Sequence, residues 1–325
     1  VFHKYSTKAH TDSVGFRHVR TNPNPDYPMK RIVLSLALCL SGALCAFAEN
    51  APQKDKGGNW VFPQFYFANQ GQWNTQRCWR EGKMPEGATL PRVNVLGGAV
   101  MTISQPVTTP LSWLCLGFYT DKKTTVHFEK NAQLSAASIT LPTPYVEKSD
   151  VDFYMTGGTL SVGNLKDKEF NAALSVGTGG TTSGTALFAI SGGTFSGSLR
   201  LGTNKVNTNT GTFSVRGSQA SISGPSNPNG IIMIWASGTL EFVMDEKGVS
   251  TLDYGKNVVT LHSGANIVVD GTAYKGGTQQ ITLIQAAKVV KVADVNLSAR
   301  NFPAGYQADV ALDKKGVVLK ISKGK

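Results

Sequence analysis

The chain has 325 residues, of which 35 are glycine, 41% are hydrophobic and only 16% are charged, the profile of a Gly/Thr/Ser-rich all-β protein of one large or two ordinary domains. Its formal net charge is +11, but setting aside the six Lys/Arg and two Asp/Glu of residues 1–48 leaves 26 against 19, or +7. No Lys/Arg cluster after residue 48 is longer than two, whereas a nucleic-acid binder gathers its charge on one face or helix, so the charge pattern argues against nucleic acid as a partner.

Residues 1–28 are polar, unperiodic and rich in His, Asn and Pro, and read as an upstream or disordered tail before Met29. Residues 29–48 read as a secretory signal peptide. Lys30 and Arg31 precede the apolar run IVLSLALCLSGALCAFA, which ends in Ala46-Phe47-Ala48, a small-x-small site that predicts cleavage between Ala48 and Glu49. Seventeen residues containing Ser, Gly and Cys are short for a bilayer span, so no membrane span is expected in the mature chain. The expected location is extracellular, cell-surface or periplasmic.

Residues 49–92 include GNWVFPQFYFANQGQWNTQRCW, dense in Trp, Phe and Tyr, and are expected to form an N-terminal cap. Trp60, Phe62, Phe65, Tyr66 and Phe67 have two readings. They can offer ring faces to a glycan, or they can cover the first turn of a solenoid.

Residues 93–239 carry a repeat. VNVLGGAVM from Val93, FYMTGGTLS from Phe153, FAISGGTFS from Phe188 and FSVRGSQAS from Phe213 align without gaps, at spacings of 60, 35 and 25. Apolar residues at i and i+2 have the period of a half-buried strand, and the glycines that follow permit a sharp turn. A second element trails each copy: LCLG from Leu114, LSVG from Leu174, LRLG from Leu199 and IMIW from Ile232. Repeats of this length with two or three short strands apiece predict a right-handed parallel β-helix, a β-solenoid with capped ends, rather than a propeller or sandwich. The long first spacing is expected to conceal a degenerate turn near TVHFEKNAQLS from Thr125. Phe188, Ile190 and Phe195 should point inward, Gly192 and Gly193 should turn the corner, and Thr194 and Ser196 should face out. Residues 240–325 are expected to hold further β turns and the C-terminal cap, ending in GVVLKI.

Cys78 and Cys115 remain after the leader. In an oxidising compartment they can form a disulfide; the alternative is two separate buried thiols, and spacing does not choose between them.

The segment from Gly71, GQWNTQRCWREGKMPEGATLPRVNVLGGAV, resembles the opening motif of secreted bacterial β-solenoids related to autotransporter passengers and their β-strand repeats. The matching positions are Gly71, Trp73, Asn74, Trp79, Gly82, Pro85, Val93, Val95, Gly97 and Gly98. LEFVMDEKGVSTLDYG and IVVDGTAYKGGTQQITLIQA are similar to the closing segment of those proteins, and the likeness runs from about Gly71 to Ile321. It implies an exported, surface-associated protein. The KISKGK ending matches neither the membrane barrel nor the sorting tail that such proteins often carry.

Catalytic signals are sparse. Past the leader there are two histidines, His127 and His262, far apart in sequence, and no residue pattern requires a metal or cofactor. The best catalytic candidates are Asp150 and Asp152, alternating at the start of a strand near Lys148 and the Lys166–Glu169 loop. A solvated strand edge is the preferred reading of them. The expected role is therefore structural, adhesive or surface-binding without a catalytic site, with a glycan or cell-surface component as partner. The alternative is a carbohydrate-active β-helix enzyme, such as a polysaccharide lyase or glycosidase.

Overall fold

The computed structural model describes residues 53–54, 56, 60–119, 121–142, 148–163, 173–178, 183–203, 209–226, 230 and 232–324. The expected leader with its Ala48–Glu49 cleavage point, and the Lys166–Glu169 loop, lie outside the described residues.

Parallel strands stack into a β-solenoid of about eight turns, 3% helical. The helical content includes two 3-10 turns, Gln76–Cys78 and Arg80–Gly82. One turn runs through Val151–Met155, a glycine corner, Thr159–Val162 and Leu174–Val176, and the next begins at Gly184–Ile190. The first of these strands belongs to a nine-stranded sheet and the other two to a fourteen-stranded sheet.

Because each turn pairs in register with the next, equivalent side chains fall into columns. Phe153 pairs with Phe188 and Phe188 with Phe213, and all three are fully buried. Their rings stack at 4.8 Å and 5.1 Å between centres, tilted by only 16° and 9°. Such offset stacking adds to the burial of large apolar surface. Val126 and Met101 continue the column upstream, and Leu240, Ile267 and Leu297 continue it downstream. The expected degenerate turn near Thr125 is thus present.

The first aligned copy is placed differently from the sequence expectation. Val93 pairs with Phe65 and Leu114 in the fourteen-stranded sheet and takes no place in the Phe153 column. Apolar residues at i and i+2 followed by glycine suit any strand that leads into a corner, so the motif marks the corner without saying which one. The second elements do align: Leu114, Ile139, Leu174, Leu199, Ile232 and Val259 form one inner column.

The corner in FAISGGTFS shows why glycine is required. Gly193 has φ +84°, and a β-carbon there would lie 2.5 Å from the Gly157 backbone in the turn below. Phe195 is buried and Thr194 exposed, as the alternation requires.

At the N-terminal end, Phe67, Trp73 and Trp79 are buried, with the two indoles edge-to-face at 4.9 Å and the Trp79 Nε1–H donating to the Trp73 carbonyl at 2.7 Å. At the other end the pairing reverses. Gln279–Lys291 continues the parallel stack over its second half, while its first half pairs antiparallel with Gly316–Lys323, which in turn pairs antiparallel with Tyr306–Leu312.

Cys78 and Cys115 form no disulfide; both are buried free thiols. Cys78 lies in a 3-10 turn and its thiol donates to the Gln70 carbonyl, whereas Cys115 is fixed in the strand Leu111–Phe118 beneath Arg92.

Candidate functional site

The inner column Leu114, Ile139, Leu174, Leu199, Ile232 and Val259 of the fourteen-stranded sheet is apolar, so recognition chemistry on these strands falls to the alternate, outward positions. The register assembles these into rows that cross the turns. One row reads Tyr66, Asn94, Cys115, Thr140, Ser175, Arg200, Met233 and Thr260. Beside it runs Gln64, Arg92, Trp113 and Ser138.

A cleft of about 550 Å³ opens over these rows, floored by Trp113, Ser138, Thr140 and Ser175 and flanked by Arg92 and Arg200. Val61 and Phe62 wall its N-terminal side. The Trp113 indole N–H donates to the Thr140 hydroxyl at 2.9 Å, and the Arg92 guanidinium carbon lies 4.6 Å from the Trp113 ring centre. That cation–π contact, together with the Arg92 Nε–H donating to the Asn94 side-chain oxygen at 3.2 Å, holds the arginine over the sheet. Ser112 also lines the cleft; it is 4% exposed and its hydroxyl has no hydrogen-bond partner among the described residues.

Arg200 is half-buried, and this burial lowers its pKa from the usual guanidinium value. A guanidinium titrates so far above neutrality that it stays charged. A second cleft of about 300 Å³ lies on the other side of Arg200, lined with Thr178, Gly202, Thr203 and Trp235. The Trp235 ring stacks on His262 at 5.2 Å, tilted by 12°. The two clefts therefore meet at Arg200, and no carboxylate lines either of them among the described residues. Burial pushes the Cys115 thiol, below Arg92, up to about 12, against a smaller downward pull from Arg92, which disfavours the thiolate.

Of the five aromatics proposed from sequence to stack on sugars, two are corrected. Phe65 and Phe67 point inward and are buried, because they occupy the inner positions of Gln64–Phe67. Phe62 is half-buried on the cleft wall. Tyr66 faces outward, half-buried, at the head of the long row, with its ring 6.5 Å from that of Tyr119. Trp60 lies in the short strand Trp60–Val61.

The sequence reading missed Arg92, Trp113, Ser138, Thr140, Ser175 and Arg200. A signal for part of this set was present, since Ser175 and Arg200 are the variable middle residues of LSVG and LRLG, whose flanking residues point inward.

The carboxylates are engaged elsewhere. Asp150 accepts the Thr185 N–H and hydroxyl at 2.9 and 3.0 Å. Asp152 accepts the Tyr154 hydroxyl at 2.7 Å and pairs with Lys123 at 2.7 Å, which raises the pKa of both donors. On the same nine-stranded sheet Arg300 bridges Glu241 at 3.2 Å and Asp270 at 3.1 Å. Lys148 pairs with Ser183 of the adjacent turn in an isolated parallel bridge. His127 stacks on Tyr154 at 5.8 Å. Among the described residues no group of three His, Cys, Asp or Glu could hold a metal ion, and no helix is long and apolar enough to cross a membrane.

Comparison with protein-family models, curated proteins and solved structures finds no match to this chain.

Proposed function

We propose that this β-solenoid is an exported surface-binding or adhesive protein that recognises a glycan through the outer face of its fourteen-stranded sheet. The observation that carries the reading is the cleft between Arg92 and Arg200, where indole, guanidinium and hydroxyl groups come together on a rigid sheet. Aromatic faces, a few directed polar groups and a preformed concave surface are what sugar recognition needs. Export rests on the basic and apolar segment at residues 29–48, and the surface role also draws on the resemblance of the Gly71–Ile321 region to secreted bacterial β-solenoids. A binding role is favoured over glycosidase or lyase chemistry because acid–base cleavage requires paired carboxylates at the bond being cut. The described lining of both clefts supplies none, and the acidic side chains of the opposite sheet are held in ion pairs and hydrogen bonds.

A glycan array probed with residues 49–325 tests this. The reading predicts a retained glycan whose signal falls on Trp113→Ala and persists on Glu241→Gln, a substitution on the other sheet. Retention of no glycan, or equal loss in both variants, contradicts it.

A further inference from the structure

We infer that the ligand of this face is an anionic oligosaccharide, bearing carboxylate or sulfate groups, that lies across the turns with acidic substituents on Arg92 and Arg200. The inference rests on the glycan-binding reading and narrows it to one chemical class.

Three observations support it. The first is charge. The charged groups in the described lining of the two clefts are two arginines, and a guanidinium suits an anion. The guanidinium fork suits bidentate recognition of carboxylate or sulfate, and Arg200, half-buried between the clefts, acts where water screens less than on the open surface.

The second is length. The strands carrying Arg92 and Arg200 are four steps apart in the sheet, about 19 Å at the usual strand separation. A ligand engaging both must be an oligomer, because one sugar ring cannot bridge that distance. The ligand's repeating substituents would then meet a binding surface that is itself a repeat.

The third is the division of polar and apolar groups. Trp113 supplies an apolar surface in the first cleft and Trp235 in the second, while Ser138, Thr140 and Ser175 present hydroxyls between the arginines and Thr203 presents one beyond Arg200. Ring faces and hydroxyl edges of a sugar chain need both kinds of partner. Duplex nucleic acid would instead call for an extended row of cations, and only Arg92 and Arg200 are cationic in the described lining.

Titration calorimetry on the mature chain, residues 49–325, provides the test. The probes are an oligogalacturonate tetrasaccharide, its methyl ester, a sulfated tetrasaccharide, galacturonic acid as monomer, and a single-stranded oligonucleotide of matched charge. At least one acidic tetrasaccharide should bind about tenfold or more tighter than the ester and the monomer, and should weaken as salt is raised. Arg200→Gln should reduce it to the level of the ester without changing the circular dichroism spectrum. Should that variant fold poorly, Ser175→Asp, which places a like charge in the same outer row, should weaken the acidic probe and spare the ester. Equal affinity for acid and ester would overturn the anionic assignment and leave glycan binding standing. Binding of the oligonucleotide as tightly as the acidic sugar would overturn the ligand class. Retention of no glycan here or on the array would overturn both.

Discussion

The two outer faces of the solenoid use similar side chains to opposite ends. On the nine-stranded sheet, Lys123 meets Asp152, and Arg300 meets Glu241 and Asp270, so charge is neutralised between neighbouring turns. On the fourteen-stranded sheet, Arg92 and Arg200 stand at a cleft whose described lining holds no acid. A solenoid needs only its inner columns and its corners to be fixed, so each outer row can be tuned separately. One face reinforces the stack, and the other presents chemistry to solvent.

The largest expected effect lies in the core that both faces share. Phe188→Ala would open the ring column between Phe153 and Phe213, and equilibrium denaturation should show a loss of about 3–5 kcal/mol. A loss well below that would mean the turns do not depend on the column, and the two faces could then no longer be treated as independent surfaces of one core.

Gly193→Ala should come next. It combines a positive φ with a β-carbon 2.5 Å from backbone, so the cost should exceed the roughly 1–2 kcal/mol that left-handed backbone alone imposes on an ordinary residue. Gly305→Ala is the control: φ is +83° but nothing lies within 4 Å, so only the backbone cost should appear.

The faces themselves separate at the level of single charges. Burial pushes the Asp270 carboxyl up, but bonds from Thr272, Asn301 and Arg300 outweigh it and leave its pKa below the ordinary value. A depressed carboxylate stabilises the fold above the pKa it has when unfolded, and the contribution is lost as pH falls through the folded value, hence below about pH 4. Asp270→Asn should cost about 1–2 kcal/mol at pH 7 and flatten the acid limb of a stability–pH profile. Arg200→Gln, which exchanges one half-buried polar side chain for another, should cost less than Asp270→Asn, about 1 kcal/mol or below. If Arg200→Gln proves the more destabilising of the two, the cleft arginine is structural and the contrast between the faces fails.

Reductant should have the smallest effect. With Cys78 and Cys115 as separate thiols, the denaturation midpoint should be the same with and without it. A shift would restore the disulfide.

The inner half of this structure was legible because burial imposes a pattern. Phe153, Phe188 and Phe213 announce their column by type and spacing, and the glycines announce the corners. Val93 was assigned to the wrong column because its motif describes a strand entering a corner, and a solenoid turn has more than one corner. Phe65 and Phe67 were offered as sugar platforms because aromatic composition alone does not say which of two alternating positions faces in. The cleft was the least legible feature. Its members come from strands scattered between Gln64 and Arg200, and only the register between turns brings Trp113 beside Thr140 and Ser175 beside Arg200.

Hydrogen–deuterium exchange with and without the glycan retained most strongly on the array tests the functional account most directly. The account predicts added protection in Arg92–Leu96, Leu111–Phe118, Gln133–Leu141 and Leu199–Leu201, with Gly238–Val243 and Asn266–Asp270 unchanged. Protection confined to the latter two strands would place binding on the ion-paired face and contradict it.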